Sequence, residues 1–187
     1  MVEKTDEEIA LMVQNGDTDS FGILVERYEA KLTRYAKKFL SSREDTEDLV
    51  QNVFIKAYTN IKGFNTSQRF SPWIYRIAHN EFINSMKRKK FEPLHFFDSD
   101  TLFPHPVAEE SADDHVNDVD LKDSINKCLD KLEPKYLEPL LLFYFEYMSY
   151  KDISDILKIP VPTVGVRISR GKNLLQKYYK QLDPTYE

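Results

Sequence analysis

A single cysteine, Cys128, stands among 187 residues, which excludes an internal disulfide and suits a reducing cytoplasm. It falls within an amphipathic segment and reads as a small buried apolar residue. Glycines number only five, too few for the tight turns of an all-β sandwich or barrel. No apolar run approaches the ~20 residues that a membrane-crossing helix needs, so no membrane insertion is expected. The opening residues, MVEKTDEEIA, lack the apolar core of a signal peptide. Acid is missing from one region altogether. Between Ile156 and Leu182 there is none, against Lys158, Arg167, Arg170, Lys172, Lys177 and Lys180.

Positive charge is missing from another. The net charge of −5 is the wrong sign for a polyanion binder until it is resolved along the chain. Between Phe91 and Asp120 stand nine acids (Glu92, Asp98, Asp100, Glu109, Glu110, Asp113, Asp114, Asp118, Asp120) and no lysine or arginine. The remainder of the chain therefore carries +4, with four cations consecutive at Lys87-Arg88-Lys89-Lys90. The acidic stretch also holds Pro93, Pro104 and Pro106 and shows no helical periodicity, so residues 91–117 read as an irregular linker. His95, His105 and His115 lie there, but without cysteines or a fixed geometry they define no metal site. Neither a metal nor a cofactor is expected.

On both sides of the linker apolar residues recur at threes and fours. The fold class is all-α, with two small helical domains over residues 1–90 and 118–187. Thr5 and Glu8 make a capping-box pattern for a helix through Val13 that stops at Asn15-Gly16. Phe21, Leu24, Tyr28, Leu32, Tyr35 and Phe39 line a second helix. Ser42 with Asp45 caps a third, carrying Leu49, Val50, Val53, Phe54, Ala57 and Tyr58. After a loop around Lys62-Gly63-Phe64-Asn65, Ser71 and Pro72 open a fourth helix running to about Lys90, with Trp73, Ile74, Ile77, Ala78 and Phe82 inward. Leu121, Ile125, Cys128 and Leu129 mark a fifth, and Glu133-Pro134 starts a sixth that spans Tyr136 to Tyr147.

Ser149 to Lys172, SYKDISDILKIPVPTVGVRISRGK, reads as two helices and a tight turn. Ile153, Ile156 and Leu157 give the first its apolar stripe, and Ile159-Pro160 ends it because proline disfavours helix at the preceding residue. Pro162 suits the first turn of the second. Such a helix-turn-helix lays its second helix in the DNA major groove. On a wheel of 3.6 residues per turn, Val164, Ile168, Gly171 and Leu175 face inward. Pro162, Val166, Ser169, Arg170 and Asn173 face outward, flanked by Thr163 and Arg167. A basic helix without acids suits a polyanion, because its cations neutralise phosphates and release counterions.

Two further segments matter: Arg43 to Tyr58, REDTEDLVQNVFIKAY, and Phe70 to Lys90, FSPWIYRIAHNEFINSMKRKK. With Leu132-Glu133-Pro134 and the helix-turn-helix, they make the chain similar to the extracytoplasmic-function group of bacterial RNA polymerase sigma factors. The resemblance covers nearly everything outside the acidic linker. It implies a promoter-recognition subunit that binds core polymerase and has no catalytic activity of its own. Glu47-Asp48 and Gln51 match the family's E-D-x-x-Q, so the resemblance implies that Glu47, Asp48, Gln51 and Asn52 dock on the clamp coiled coil of the largest subunit. The polymerase flap is a further implied contact. Phe70, Trp73, Ile77, Ala78 and Asn80 match F-x-x-W-x-x-x-I-A-x-N, the helix that holds the melted minus-ten element in that family.

That role brings Phe64, Asn65 and Asn80 to unpaired bases, since a flipped base is stacked on an aromatic and hydrogen-bonded along its edge. Lys56, Lys62, Arg69, Arg76, Lys87 and Arg88 lie toward the DNA backbone, whereas Trp73 reads as core. The second domain would read the minus-thirty-five element through Pro162, Thr163, Val166, Arg167, Ser169, Arg170 and Asn173. Here the chain departs from the family's P-x-G-T-V-K-S-R: Pro162 replaces glycine, Gly165 a basic residue and Val166 a small hydroxyl. Asn84 also stands where the family often has aspartate, and Lys87 where it often has arginine. The family further implies an anti-sigma partner, and a linker that runs toward the polymerase active-site cleft. A stand-alone helix-turn-helix regulator is the competing class, binding duplex as a dimer without polymerase. An enzyme using Glu44, Asp45, Glu47 and Asp48 lacks a nucleophile or partner ligands nearby.

Overall fold

The computed structural model describes residues 4–40, 42–88, 121 and 123–182, and among these there is no strand. The acidic segment 91–117 with its three histidines lies outside the described residues. Helix α1 spans Asp6–Gln14, α2 Phe21–Lys37, α3 Arg43–Asn60 and α4 Phe70–Arg88. Residues 123–129 form α5, followed by α6 (Pro134–Tyr144), α7 (Tyr150–Leu157) and α8 (Val161–Leu182). The described residues divide into two compact units, one holding α1 to α4 and the other α6 and α8, with Lys151–Ile159 grouped in the first.

In the first unit the caps follow the sequence. Thr5 Oγ1 accepts the Glu8 N–H at 3.2 Å while Glu8 Oε2 accepts the Thr5 N–H at 2.8 Å. Gly16 turns the chain out of α1 at φ +104°, a left-handed conformation that glycine reaches without strain. Ser42 Oγ accepts the Asp45 N–H at 3.4 Å and opens α3. Helix α4 departs from expectation by starting at Phe70, before Ser71. Its first N–H is taken by Glu7 Oε1 at 2.8 Å, so the cap comes from α1.

The core of this unit is aromatic. Leu24, Leu32, Phe70, Ile74, Tyr75 and Ala78 are fully buried. The Phe70 ring meets Tyr28, Phe64 and Trp73 at centroid distances of 5.4, 5.5 and 5.3 Å. Such ring pairs each add ~0.5–1.5 kcal/mol beyond the area they bury. Tyr28 also donates to Asp6 Oδ2 at 2.6 Å; burial, reinforced by that carboxylate, pushes its phenol well above the usual range.

The second unit has an aliphatic core. Leu137, Leu140, Leu141 and Leu142 of α6 are buried, as are Val164, Ile168 and Gly171 of α8. A Cβ at Gly171 would lie 2.7 Å from Leu140 Cδ1 and 3.3 Å from the Tyr136 carbonyl oxygen. The two helices thus cross where α8 has no side chain. Helix α6 ends at Tyr144, three residues short of the expected Tyr147, which instead adopts φ +52°. Between α7 and α8 Lys158 takes the left-handed turn at φ +56°. Cys128 is fully buried as expected, and that burial raises its thiol pKa.

Candidate nucleic-acid interfaces

An open cleft of about 740 Å³ runs along α3 and α4 in the first unit. Its lining includes Lys56, Trp73, Arg76, His79, Asn80 and Asn84. The helical period explains the grouping: Trp73, Arg76 and Asn80 stand at i, i+3 and i+7, one face of α4. Arg76 and Asn80 are exposed, as a nucleic-acid contact requires. Lys56 is half-exposed but donates to Glu81 Oε1, and Glu81 is only 5% exposed. The Lys56 ammonium therefore compensates a buried carboxylate, whose unpaired burial would be costly, while its stem still lines the cleft.

The loop between α3 and α4 carries Lys62, Asn65 and Arg69, all exposed and none among the residues lining the cleft. A short 3-10 turn, Ile61–Gly63, begins it. Asn65 Oδ1 accepts the Ser67 N–H at 3.0 Å and its backbone oxygen accepts the Gln68 N–H at 2.9 Å. This Asx turn commits the side chain's acceptor to the loop itself and leaves Nδ2 as its donor.

Phe64 corrects the sequence reading. Expected to offer its ring to a base, it is 5% exposed and packed on Phe70 and, at 5.0 Å, Trp73. An aromatic in a turn has a choice between solvent and core, and here the rings of Phe70 and Trp73 take it inward. Trp73, expected in the core, is only half-buried and lines the cleft. Its i, i+3, i+7 register with Arg76 and Asn80 was the available signal. Lys87 and Arg88 fall in the last turn of α4, but their side chains lie outside the described residues.

The candidate polymerase face is a strip of α3. Glu47, Asp48, Gln51 and Asn52 are all exposed, opposite the buried Leu49, Val50 and Val53. Arg43 Nε lies 2.7 Å from Glu47 Oε1, an exposed i,i+4 pair worth little in stability. Asn52 Nδ2 donates to the Asp48 carbonyl oxygen at 2.8 Å, which occupies its amide locally. Ile55, at 60% exposure, continues the strip with an apolar side chain.

Helix α8 follows its wheel closely. Pro162, Val166, Ser169, Arg170 and Asn173 are exposed, Thr163 and Arg167 are half-buried at the flanks, and Leu175 is half-buried. The Pro160 carbonyl oxygen accepts the N–H groups of Thr163 and Val164 at 2.9 and 3.1 Å, closing the first turn. At the end of α7, Ser154 Oγ donates to the Ile159 carbonyl oxygen at 2.6 Å. The Ile159 N–H in turn reaches the Ser154 carbonyl at 3.3 Å. Val166 is 48% exposed, an apolar side chain on the outer face of α8.

Two family patterns match this chain: Sigma-70 region 2 over residues 24–92, and Sigma-70, region 4 over residues 122–175. The chain is 34% identical to the ECF RNA polymerase sigma factor SigW of Bacillus subtilis (strain 168), over 91% of this chain and 94% of that protein. It is 29% identical to the ECF RNA polymerase sigma-E factor of Haemophilus influenzae, over 95% and 97% respectively. Among solved structures it resembles the sigma factor RpoE in complex with the anti-sigma factor NepR from Bartonella quintana. That match has a TM-score of 0.65 and 25% identity, and covers 86% of this chain and 96% of that one. CnrH in complex with the cytosolic domain of CnrY shares the fold at a TM-score of 0.68 and 22% identity, over 97% and 99%. No helix among the described residues is long and apolar enough to cross a membrane.

Proposed function

The chain belongs to the sigma-70 family as an alternative sigma factor of the ECF type, acting in promoter recognition and transcription initiation, and from that premise we propose a division of labour between its two units. The first unit docks on the polymerase clamp coiled coil through Glu47, Asp48 and Gln51, and captures the minus-ten element as single strand. The second places α8 in the major groove of the minus-thirty-five element, presenting Pro162, Thr163, Val166, Arg167, Ser169, Arg170 and Asn173. An anti-sigma factor is the implied inhibitor, and the cytoplasm, where core polymerase works, is the implied location.

The single observation that carries the minus-ten reading is the cleft that gathers Trp73, Arg76 and Asn80. Unstacking and unpairing one base costs a few kcal/mol. Stacking it on an aromatic returns ~1–3 kcal/mol, and Trp73 rather than Phe64 has the face to offer. Asn80 and Asn65 supply hydrogen bonds to base edges, and Arg76 supplies charge for the backbone. A protein that binds only the opened form shifts the melting equilibrium toward it. No bond is made or broken by the protein, and the chemistry of transcription belongs to the polymerase it recruits.

The test is reconstitution with core polymerase lacking any sigma factor, scored on a genomic promoter library. Transcripts starting at discrete sites support the proposal and reveal both elements. Duplex binding as a polymerase-free dimer, without specific transcripts, would overturn it in favour of a stand-alone regulator. Asp48→Lys, which places a cation on the α3 strip, is expected to weaken co-purification with core polymerase. Undiminished co-purification would remove that contact from the account.

A further inference from the structure

Helix α1 precedes the stretch matched by the region 2 pattern, yet two of its side chains reach the loop that follows α3. Gln14 Nε2 donates to the Ile61 carbonyl oxygen at 2.7 Å and to the Phe64 carbonyl oxygen at 2.8 Å. Both hydrogens of that amide are thereby directed at loop backbone. Glu7 Oε1 accepts the Phe70 N–H at 2.8 Å. Glu7 and Gln14 are seven residues apart, two turns along one face and roughly 10.5 Å of helix. The loop they bracket runs from the end of α3 to the start of α4.

The position of these bonds matters more than their number. The Phe64 carbonyl belongs to the peptide unit that joins Phe64 to Asn65, and that unit is planar. Fixing its oxygen fixes the plane from which Asn65 departs. Asn65 is then held from its other side by the Ser67 and Gln68 N–H groups. The Phe64 side chain, buried against Phe70 and Trp73, anchors the same point from within. Without Gln14, the Phe64 carbonyl loses its donor and the Phe64–Asn65 peptide is free to rotate, while the Ile61 carbonyl keeps the Phe64 N–H at 3.0 Å. A reading side chain on a loop gains affinity and selectivity when its backbone is set before the ligand arrives.

We infer that α1 positions the base-reading loop, with Gln14 orienting the Phe64–Asn65 peptide and Glu7 fixing the loop's return into α4. Gln14 and Glu7 are positioning residues that touch no DNA and act through Asn65. The inference rests on the reading of this loop as part of the minus-ten site. It assigns to the N-terminal helix a share in promoter selectivity rather than stability alone.

The experiment uses full-length protein bound to core polymerase. The probe is a single-stranded non-template oligonucleotide spanning the minus-ten element of a promoter the holoenzyme selects, with each base exchanged in turn. Asn65→Ala first identifies the base whose discrimination depends on Asn65. Gln14→Met keeps the length of the side chain and removes both donors; it is expected to lower discrimination at that same base about tenfold, equivalent to ~1.4 kcal/mol, with other positions unchanged. Combining it with Asn65→Ala is expected to produce no further loss, since the two act as one unit.

If Asn65→Ala changes no position, the reading of the loop itself falls, and this inference with it. If Asn65→Ala acts and Gln14→Met leaves the profile of the native protein, only the positioning role is overturned. Equal loss at every base would likewise assign Gln14 to general stability and overturn it. Should Gln14→Met fail to join core polymerase, Glu7 gives a second route. Glu7→Gln retains an acceptor oxygen and is expected to preserve discrimination, whereas Glu7→Leu is expected to lose it. Identical behaviour of that pair would sink the proposal.

Discussion

The two units are built of different materials, which suits the different tasks proposed for them. The first is built on rings packed edge-to-face or tilted, Tyr28, Phe64, Phe70 and Trp73 among them, and its irregular loop is held by side-chain bonds from a distant helix. The second is built on leucine, isoleucine and valine, with a backbone contact at Gly171. Gripping an unpaired base needs a shaped cleft, which rigid aromatic plates can frame. Lying in the groove of a duplex needs a straight helix at a fixed angle, which close aliphatic packing provides. The contrast links the composition of each core to the form of DNA its unit is proposed to meet.

Breaking one side of the comparison should leave the other readable. The largest effect is expected from Phe70→Ala, since Phe70 is fully buried among three rings. Removing a core phenylalanine costs ~3–5 kcal/mol, visible as a lower urea midpoint. Single-strand capture should collapse while affinity for duplex minus-thirty-five DNA persists; loss of both together would refute the independence of the units. Gly171→Val is the converse. Its side chain meets Leu140 and the Tyr136 carbonyl, and overpacking of this kind costs ~1–3 kcal/mol. Duplex binding measured by anisotropy should weaken, with single-strand capture intact.

Asn80→Ala sharpens the comparison within the first unit. Asn80 is exposed on the cleft face, so stability should hold while single-strand affinity falls by about 1 kcal/mol, the worth of one hydrogen bond. Permanganate footprinting should show less open complex at unchanged duplex affinity, and an unaltered footprint would exclude Asn80 from melting. Smallest is Lys158→Gly. Lys158 sits at φ +56°, where glycine is unstrained, and relief of the Cβ clash is expected to raise stability by ~0.5–1 kcal/mol. Thermal melting checks the direction, and a lower midpoint would contradict it.

What the sequence disclosed follows a physical boundary. Local signals were legible: Thr5 with Glu8, Ser42 with Asp45, and the wheel of α8 each involve residues three or four apart. Signals that cross the fold were not. With Ser71 as the expected cap, the start of α4 falls two residues late, because Glu7, which takes its first N–H, lies 63 positions upstream. Tyr147 gave no glycine to mark the left-handed residue that ends the run beyond α6. At the site, Asn80 and Arg76 enter through the family resemblance rather than through periodicity, and both are exposed. The exchange of roles between Phe64 and Trp73 was hidden, because a ring's burial depends on which other rings the fold brings to it.

The bare crossing at Gly171 has a consequence for how preferences diverge. It sets the stance of α8 from its buried side, independently of Pro162, Val166, Arg170 and Asn173 on the outer side. On the proposed reading, exchanges among those outward letters retune which promoter is chosen while the scaffold beneath stays put. Pro162 and Val166, two departures from the family pattern that are exposed on that outer side, fit such drift: a new dialect spoken from an unchanged posture.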